Sequence, residues 1–212
     1  AHYNESNFRK AKTIIKKEIC KEFGLEEEKP LIIFIGRLVH DKGADLLPEA
    51  ILQSLNITKG AFNFLLLGSG DAAIEKRLLE IKDKCWGFYQ SRFGYNEALS
   101  HRMYAGADFL LMPSRVEPCG LNQLYALRYG TMPMVRRTGG LNDTVIDIGD
   151  DGFGICFNNA SVDDIIYSIE RALQVFNNKD IMEDSIKKMM RINNSWEHSA
   201  QNYIDLYHSI YR

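Results

Sequence analysis

The chain has 212 residues, 45% hydrophobic and 25% charged, enough for one globular domain with a sizeable core. A formal net charge of −2 gives no general attraction to nucleic acid or an anionic membrane, so any bound anion must be held by a local cluster of positive groups. No apolar run approaches a membrane span, nothing at residues 1–10 resembles a signal peptide, and Cys20, Cys85, Cys119 and Cys156 lack metal-ligand spacing; the expectation is reduced thiols, a cytoplasmic protein and no metal site.

Residues 4–23 place Ile14, Ile15, Ile19 and Phe23 at helical intervals and stop at Gly24, the pattern of an amphipathic helix. The unbroken run Leu31-Ile32-Ile33-Phe34-Ile35, bounded by Pro30 and Gly36, reads as a strand buried on both faces. The same beat recurs, with apolar runs at 62–67, 87–90 (the weakest), 109–112, 132–135 and 154–157. Helical stretches near 44–55, 72–84, 97–105 and 120–129 separate them. Alternating strands and helices predict an α/β fold, a Rossmann-like doubly wound parallel sheet with right-handed crossovers. Residues 162–176, 181–191 and 196–211 then read as three consecutive helices. Nothing interrupts the pattern, so residues 1–212 are expected to form a single domain.

In such sheets ligands sit beyond the carboxyl ends of the strands, and five polar, glycine-marked loops fall there. The first is Gly36-Arg37-Leu38-Val39-His40-Asp41-Lys42-Gly43. Its two cations are either solvated surface charges or a pair turned inward on one anion, since arginine grips phosphate with paired hydrogen bonds and lysine adds a mobile point charge. The glycine spacing fits neither a Walker A loop nor a dinucleotide fingerprint. The second, Gly68-Ser69-Gly70-Asp71, reads as a tight turn with Asp71 capping the next helix. In the third, Phe93-Gly94-Tyr95-Asn96-Glu97, Tyr95 is either a packing residue or a platform for a nucleobase.

The fourth loop, Pro113-Ser114-Arg115-Val116-Glu117-Pro118-Cys119-Gly120-Leu121-Asn122-Gln123, carries the strongest signal. Pro118 suits a loop or a first helical turn, after which N–H groups from Cys119 onward point out of a helix start that favours phosphate or a polar sugar. Glu117 is placed at the mouth, either as a plain helix-start charge or as an acceptor for hydroxyls. The fifth, Arg136-Arg137-Thr138-Gly139-Gly140-Leu141, is either a turn with exposed arginines or a close backbone approach to an anion.

Taken in order, Gly36-Arg37-Leu38 … Lys42-Gly43, Gly94-Tyr95, Pro113-Ser114-Arg115 … Glu117-Pro118-Cys119-Gly120-Leu121 and Val135-Arg136-Arg137-Thr138-Gly139-Gly140-Leu141 resemble the glycogen and starch synthases of glycosyltransferase family 5. The resemblance covers nearly the whole chain. It implies the carboxyl-terminal half of a two-domain GT-B enzyme that binds ADP-glucose and passes glucose, with retention, to the non-reducing end of an α-1,4-glucan. It implies no metal or other cofactor. The acceptor would be held by an amino-terminal domain whose Lys-x-Gly-Gly loop does not occur in this sequence.

Carried over by position, Arg37 and Lys42 resemble the pair that neutralises the diphosphate, and Glu117 the acid that contacts the glucose. Gly94 and Tyr95 resemble the adenine side, with Tyr95 stacking on the base; the backbone N–H groups of Cys119, Gly120 and Leu121 resemble the sugar or phosphate contacts, and Asn122 a substrate-side position whose side chain could hydrogen-bond. Two positions depart from the pattern. Tyr125 stands where the broader superfamily has a second glutamate, which excludes a two-carboxylate role, and Asn122 stands where bacterial relatives often have threonine. The readings set against this one are another retaining GT-B transferase using UDP-glucose and a non-catalytic nucleotide-sugar or glucan module. A dinucleotide oxidoreductase is disfavoured by the absent Gly-x-Gly-x-x-Gly turn.

Overall fold

The structure, a computed structural model, describes residues 3–211, so Ala1, His2 and Arg212 lie outside it. Its elements run α1 (Phe8–Phe23), β1 (Leu31–Leu38), two short 3-10 turns (His40–Lys42 and Ala44–Leu46), α2 (Leu47–Ile57), β2 (Asn63–Gly70) and α3 (Ala72–Glu80). There follow β3 (Tyr89–Phe93), α4 (Glu97–Gly106), β4 (Phe109–Met112), α5 (Asn122–Arg128), β5 (Met132–Arg136), α6 (Gly139–Thr144) and β6 (Ile155–Phe157). Three helices close the chain: α7 (Val162–Asn177), α8 (Lys179–Arg191) and α9 (Trp196–Ile210).

All six strands are parallel, in the order β3-β2-β1-β4-β5-β6. Leu31–Phe34, Phe64–Leu67 and Phe109–Met112 are buried throughout, because helices cover both faces of a parallel sheet. The chain winds outward from β1 to β3, returns through α4 to pair β4 with β1, and winds outward again to β6. The loops after β1 and β4 therefore diverge from neighbouring strands and open a crevice between them, the switch point where doubly wound folds take their ligands.

Several elements differ from the sequence expectation for local reasons. The weak third strand starts at Tyr89 rather than Gly87, since Gly87 has φ 82° and the turn is closed by Phe88 and Tyr89 N–H on the Cys85 carbonyl at 3.0 and 3.1 Å. Its Gln90-Ser91-Arg92 stretch lies on a half-exposed edge, so no apolar run marks it. α3 ends at Glu80, short of Lys84. α6 escaped notice because it begins on two glycines, poor helix formers. β1 and β2 outlast their apolar runs, pairing Gly36 with Gly68 and Leu38 with Gly70. A side chain at either Gly68 or Gly70 would overlap the facing backbone carbonyl, so these glycines serve strand pairing. Asp71 caps α3 as expected, its Oδ1 accepting from Ala73 and Ile74 N–H at 2.8 and 3.2 Å.

The three final helices form, each with a side-chain cap from Ser161, Asn178 or Ser195. α7 and α8 bury apolar faces that include Ile165, Ile169, Met182 and Met189, whereas α9 buries nothing. Trp196, Tyr203, Ile204 and Tyr207 recur at helical spacing along α9 and stand 46–88% exposed.

Candidate functional site

The site is built by stitching three loops together. After β1 the chain makes the turn His40–Lys42 and passes Gly43 at φ 67°, where a side chain would run into the Pro113 carbonyl; only glycine allows both. The Asp41 carbonyl accepts from the N–H groups of Arg115 and Val116 at 2.8 and 3.2 Å. Arg115 donates to both Asp45 oxygens at 2.6 and 2.9 Å and to the His40 carbonyl at 2.7 Å. Burial works to raise the Asp45 carboxyl, but the paired bonds from Arg115 outweigh it and hold the carboxyl below its ordinary value.

From the other side, Arg136 at the end of β5 donates from Nε to the Ser114 carbonyl and from Nη2 to the Arg115 carbonyl, both at 2.6 Å. Gly140 N–H bonds the Glu117 and Pro118 carbonyls at 3.1 and 3.0 Å. A side chain on Gly139 or Gly140 would overlap the carbonyl of Glu117 or Cys119. The Gly-Gly turn thus approaches the backbone of the Glu117 loop closely, a packing role the sequence did not suggest. Of the two arginines, Arg136 donates to carbonyls of the neighbouring loop, and Arg137 reaches the exposed Asp150 at 3.2 Å.

This framework brings Lys42 to Glu117, with Nζ 2.5 Å from Oε2. Ser114 Oγ donates to the same oxygen at 3.2 Å. The two side chains come from the loops after β1 and β4, hence from the two sides of the switch point. They line a crevice of about 210 Å³ together with Phe34, Gly36, Met112, Leu121 and Asn122.

A second cleft of about 350 Å³ opens beyond the ends of β1, β2 and β3. Gly36, Arg37, Ser69, Gly94, Tyr95 and Asn122 line it. The two spaces share Ile35, Gly36 and Asn122 and so adjoin at one ridge. On that ridge Asn122 Nδ2 donates to the Ile35 carbonyl at 2.6 Å, which uses one of its two donors. The Arg37 side chain is exposed and has no hydrogen-bond or ion-pair partner among the described residues. Tyr95 stands at the lip, 89% exposed, with its hydroxyl 3.3 Å from Glu97.

One detail of the fourth loop is corrected. α5 begins at Asn122 and not near Gly120, and no side chain caps it. Cys119 and Leu121, both exposed, flank the half-buried Gly120 (φ 76°) before the helix, and their three N–H groups make no hydrogen bond among the described residues. All the singled-out residues fall at one rim of the sheet. Sequence reading named Glu97 only as part of a loop and passed over Ser100, His101 and Tyr104, which with it line the larger cleft at positions i, i+3, i+4 and i+7 of α4. The signal was available: the Asn96 cap starts the helix, and the spacing puts those four on one face. Tyr125 completes this wall against Tyr104 and His101, with ring centroids 5.9 and 6.4 Å away. Among the described residues no three His, Cys, Asp or Glu side chains gather as a metal site, and no helix is long and apolar enough to cross a membrane.

Fold and site together define a Rossmann-like α/β domain with paired clefts at the switch point. The chain belongs to the family of glycosyl transferases group 1, whose pattern matches residues 15–189. It is 50% identical over 210 residues to a glycogen synthase of Flavobacterium johnsoniae, covering 99% of this chain and 44% of that protein. It is 38% identical to starch synthase 1 of Triticum aestivum, covering 97% of this chain and 33% of the relative. The chain thus spans less than half the length of these relatives.

Among solved structures, the catalytic domain of starch synthase IV from Arabidopsis thaliana, bound to ADP and acarbose, superposes with a TM-score of 0.87 at 35% identity. That match covers all of this chain and 45% of the other. The C-terminal domain of a glycosyl transferase group 1 protein from Francisella tularensis shares the fold at 14% identity, with a TM-score of 0.69 over 89% of this chain and 95% of that one. The α/β architecture is that of GT-B glycosyltransferases.

Proposed function

We propose that this chain is the nucleotide-sugar-binding, carboxyl-terminal half of a glycogen or starch synthase, taking ADP-glucose as donor and working in the cytoplasm. The observation that carries this reading is the meeting of Lys42 and Glu117 across the switch-point crevice, with Arg37 on the adjoining cleft. The likeness to glycogen and starch synthases, one solved with ADP, supports the nucleotide. The unpartnered apolar stripe of α9 and the span of less than half the relatives' length support a second lobe, which would bring the α-glucan acceptor.

In this reading adenine lies against Tyr95 near Gly94 in the larger cleft, the diphosphate crosses the ridge at Gly36 and Asn122, and the glucose enters the smaller crevice. Arg37 and Lys42 meet the diphosphate. Negative charge grows on the departing ADP as the glycosidic bond breaks, so fixed cations there lower the barrier without a metal ion. The free N–H groups of Cys119, Gly120 and Leu121 face the sugar and its phosphate. Glu117 accepts from glucose hydroxyls and offsets positive charge developing on the ring.

The direct test is titration of the chain with ADP, together with glucose incorporation into glycogen by the full-length protein. Arg37→Ala should weaken ADP binding, and Glu117→Ala should abolish transfer. A full-length protein that leaves glycogen unextended with ADP-glucose but extends it with UDP-glucose would overturn the donor assignment.

A further inference from the structure

The two oppositely charged side chains of the site hold each other. Lys42 comes from the turn after β1 and Glu117 from the loop after β4, so their contact at 2.5 Å spans the crevice. Glu117 is 10% exposed at its side chain and Lys42 23%. Neither has another ion-pair partner among the described residues. Phe34, Leu111 and Met112 wall the same space, which strengthens any electrostatic interaction inside it.

We propose that this ion pair is a resident latch through which the site distinguishes a sugar nucleotide from the bare nucleoside diphosphate; the proposal rests on the reading of the site given above. A diphosphate approaching Lys42 arrives beside a carboxylate that already neutralises the ammonium and repels the newcomer. The contest is over charge and not over donors, because an ammonium has three N–H groups and Glu117 engages one. A glucosyl group changes the balance. Its hydroxyls donate to Glu117 and take over part of the stabilisation of its negative charge, so that more of the ammonium's charge is available to the diphosphate. Bare ADP brings no such donors, so the carboxylate keeps its hold and ADP binds less tightly.

Glu117 also keeps Lys42 in place, and losing that placement would act in the opposite direction. Glutamine at 117 separates the two effects, since its amide oxygen still accepts from the ammonium while the negative charge is gone. The experiment is calorimetric titration of the 212-residue chain with ADP and with ADP-glucose. The parent, Glu117→Gln, Lys42→Met and the double variant are compared, each shown folded by its unfolding transition.

Glu117→Gln is expected to bind ADP on the order of tenfold more tightly and ADP-glucose no more tightly, so the preference for the sugar nucleotide shrinks. In the Lys42→Met background the same substitution should bring no gain, because no cation remains to be released. Unchanged or weaker ADP binding by folded Glu117→Gln, while Lys42→Met is impaired, overturns the latch and leaves the site reading standing. An equal gain with and without Lys42 also overturns it, as simple repulsion. A parent that binds neither ligand, or Lys42→Met binding ADP as well as the parent, removes the site reading and the latch with it.

Discussion

Arg136 tests whether the loop framework, and not the ligand, claims the cations at this rim. Its guanidinium makes two bonds of 2.6 Å, to the Ser114 and Arg115 carbonyls; the third approach, to Asn158 at 3.4 Å, is too long to count for much. A hydrogen bond from a charged donor is worth about 1.5–3 kcal/mol. Ser114 is 2% exposed, so its carbonyl has little water to turn to once the arginine is gone. Arg136 itself is only half-buried, which discounts the sum, and Arg136→Met should cost about 2–4 kcal/mol. In a domain of this size that is a fall in Tm on the order of 10 °C.

Arg136→Lys should recover less than half of the loss, because a point charge on a flexible stem does not serve two carbonyls in fork geometry. Neither cleft is lined by Arg136, so ADP affinity should fall only modestly. Thermal and urea unfolding alongside ADP calorimetry check this. An unchanged unfolding midpoint combined with lost ADP binding would show that the guanidinium serves the ligand and that the loop stands without it.

Arg37→Ala removes a cation that has no intramolecular duty among the described residues, so it should leave the unfolding midpoint in place. It should weaken ADP binding by about 1.5–3 kcal/mol for each charge-assisted bond lost, read by calorimetry. Gly43→Ala should cost about 1–2 kcal/mol for the left-handed backbone alone. Its side chain would also push on the Pro113 carbonyl and part Lys42 from Glu117, so ADP binding and stability should fall together. At the opposite end of β6, burial works to raise the Asp147 carboxyl. Two bonds from Arg171 at 2.7 and 2.9 Å, with the N–H groups of Cys156 and Gly149, outweigh it and bring the pKa to about 2. A carboxyl held below its ordinary value favours the fold above that ordinary value, and the contribution disappears as pH falls through about 2. The stability gap between the parent and Arg171→Met, measured by urea unfolding, should therefore be full above about pH 4 and close toward pH 2.

The apolar runs and their spacing marked the strands of the interior because burial on both faces demands continuous hydrophobicity, which a linear sequence displays. The edge strand β3 was marked only weakly, and two residues early, because Gln90-Ser91-Arg92 lies on a half-exposed edge. α6 escaped because Gly139 and Gly140 were chosen for their fit against Glu117 and Cys119, at the expense of helix propensity. The candidate residues were legible as loop positions carrying cations, glycines and one acid. Their division of labour was not: Arg37 and Arg136 look alike in sequence, yet one has no side-chain partner among the described residues and lines a cleft, and the other is spent on carbonyls.

By itself, then, the sequence determined the alternation of strand and helix, the rim on which the polar loops gather, and the resemblance carried by their motifs. Only the tertiary structure decided that β4 returns beside β1, which brings residues 75 positions apart into one ion pair. Local pattern reflects whether a side chain meets water or core. Which charge meets which depends on strand order and on backbone packing between distant loops.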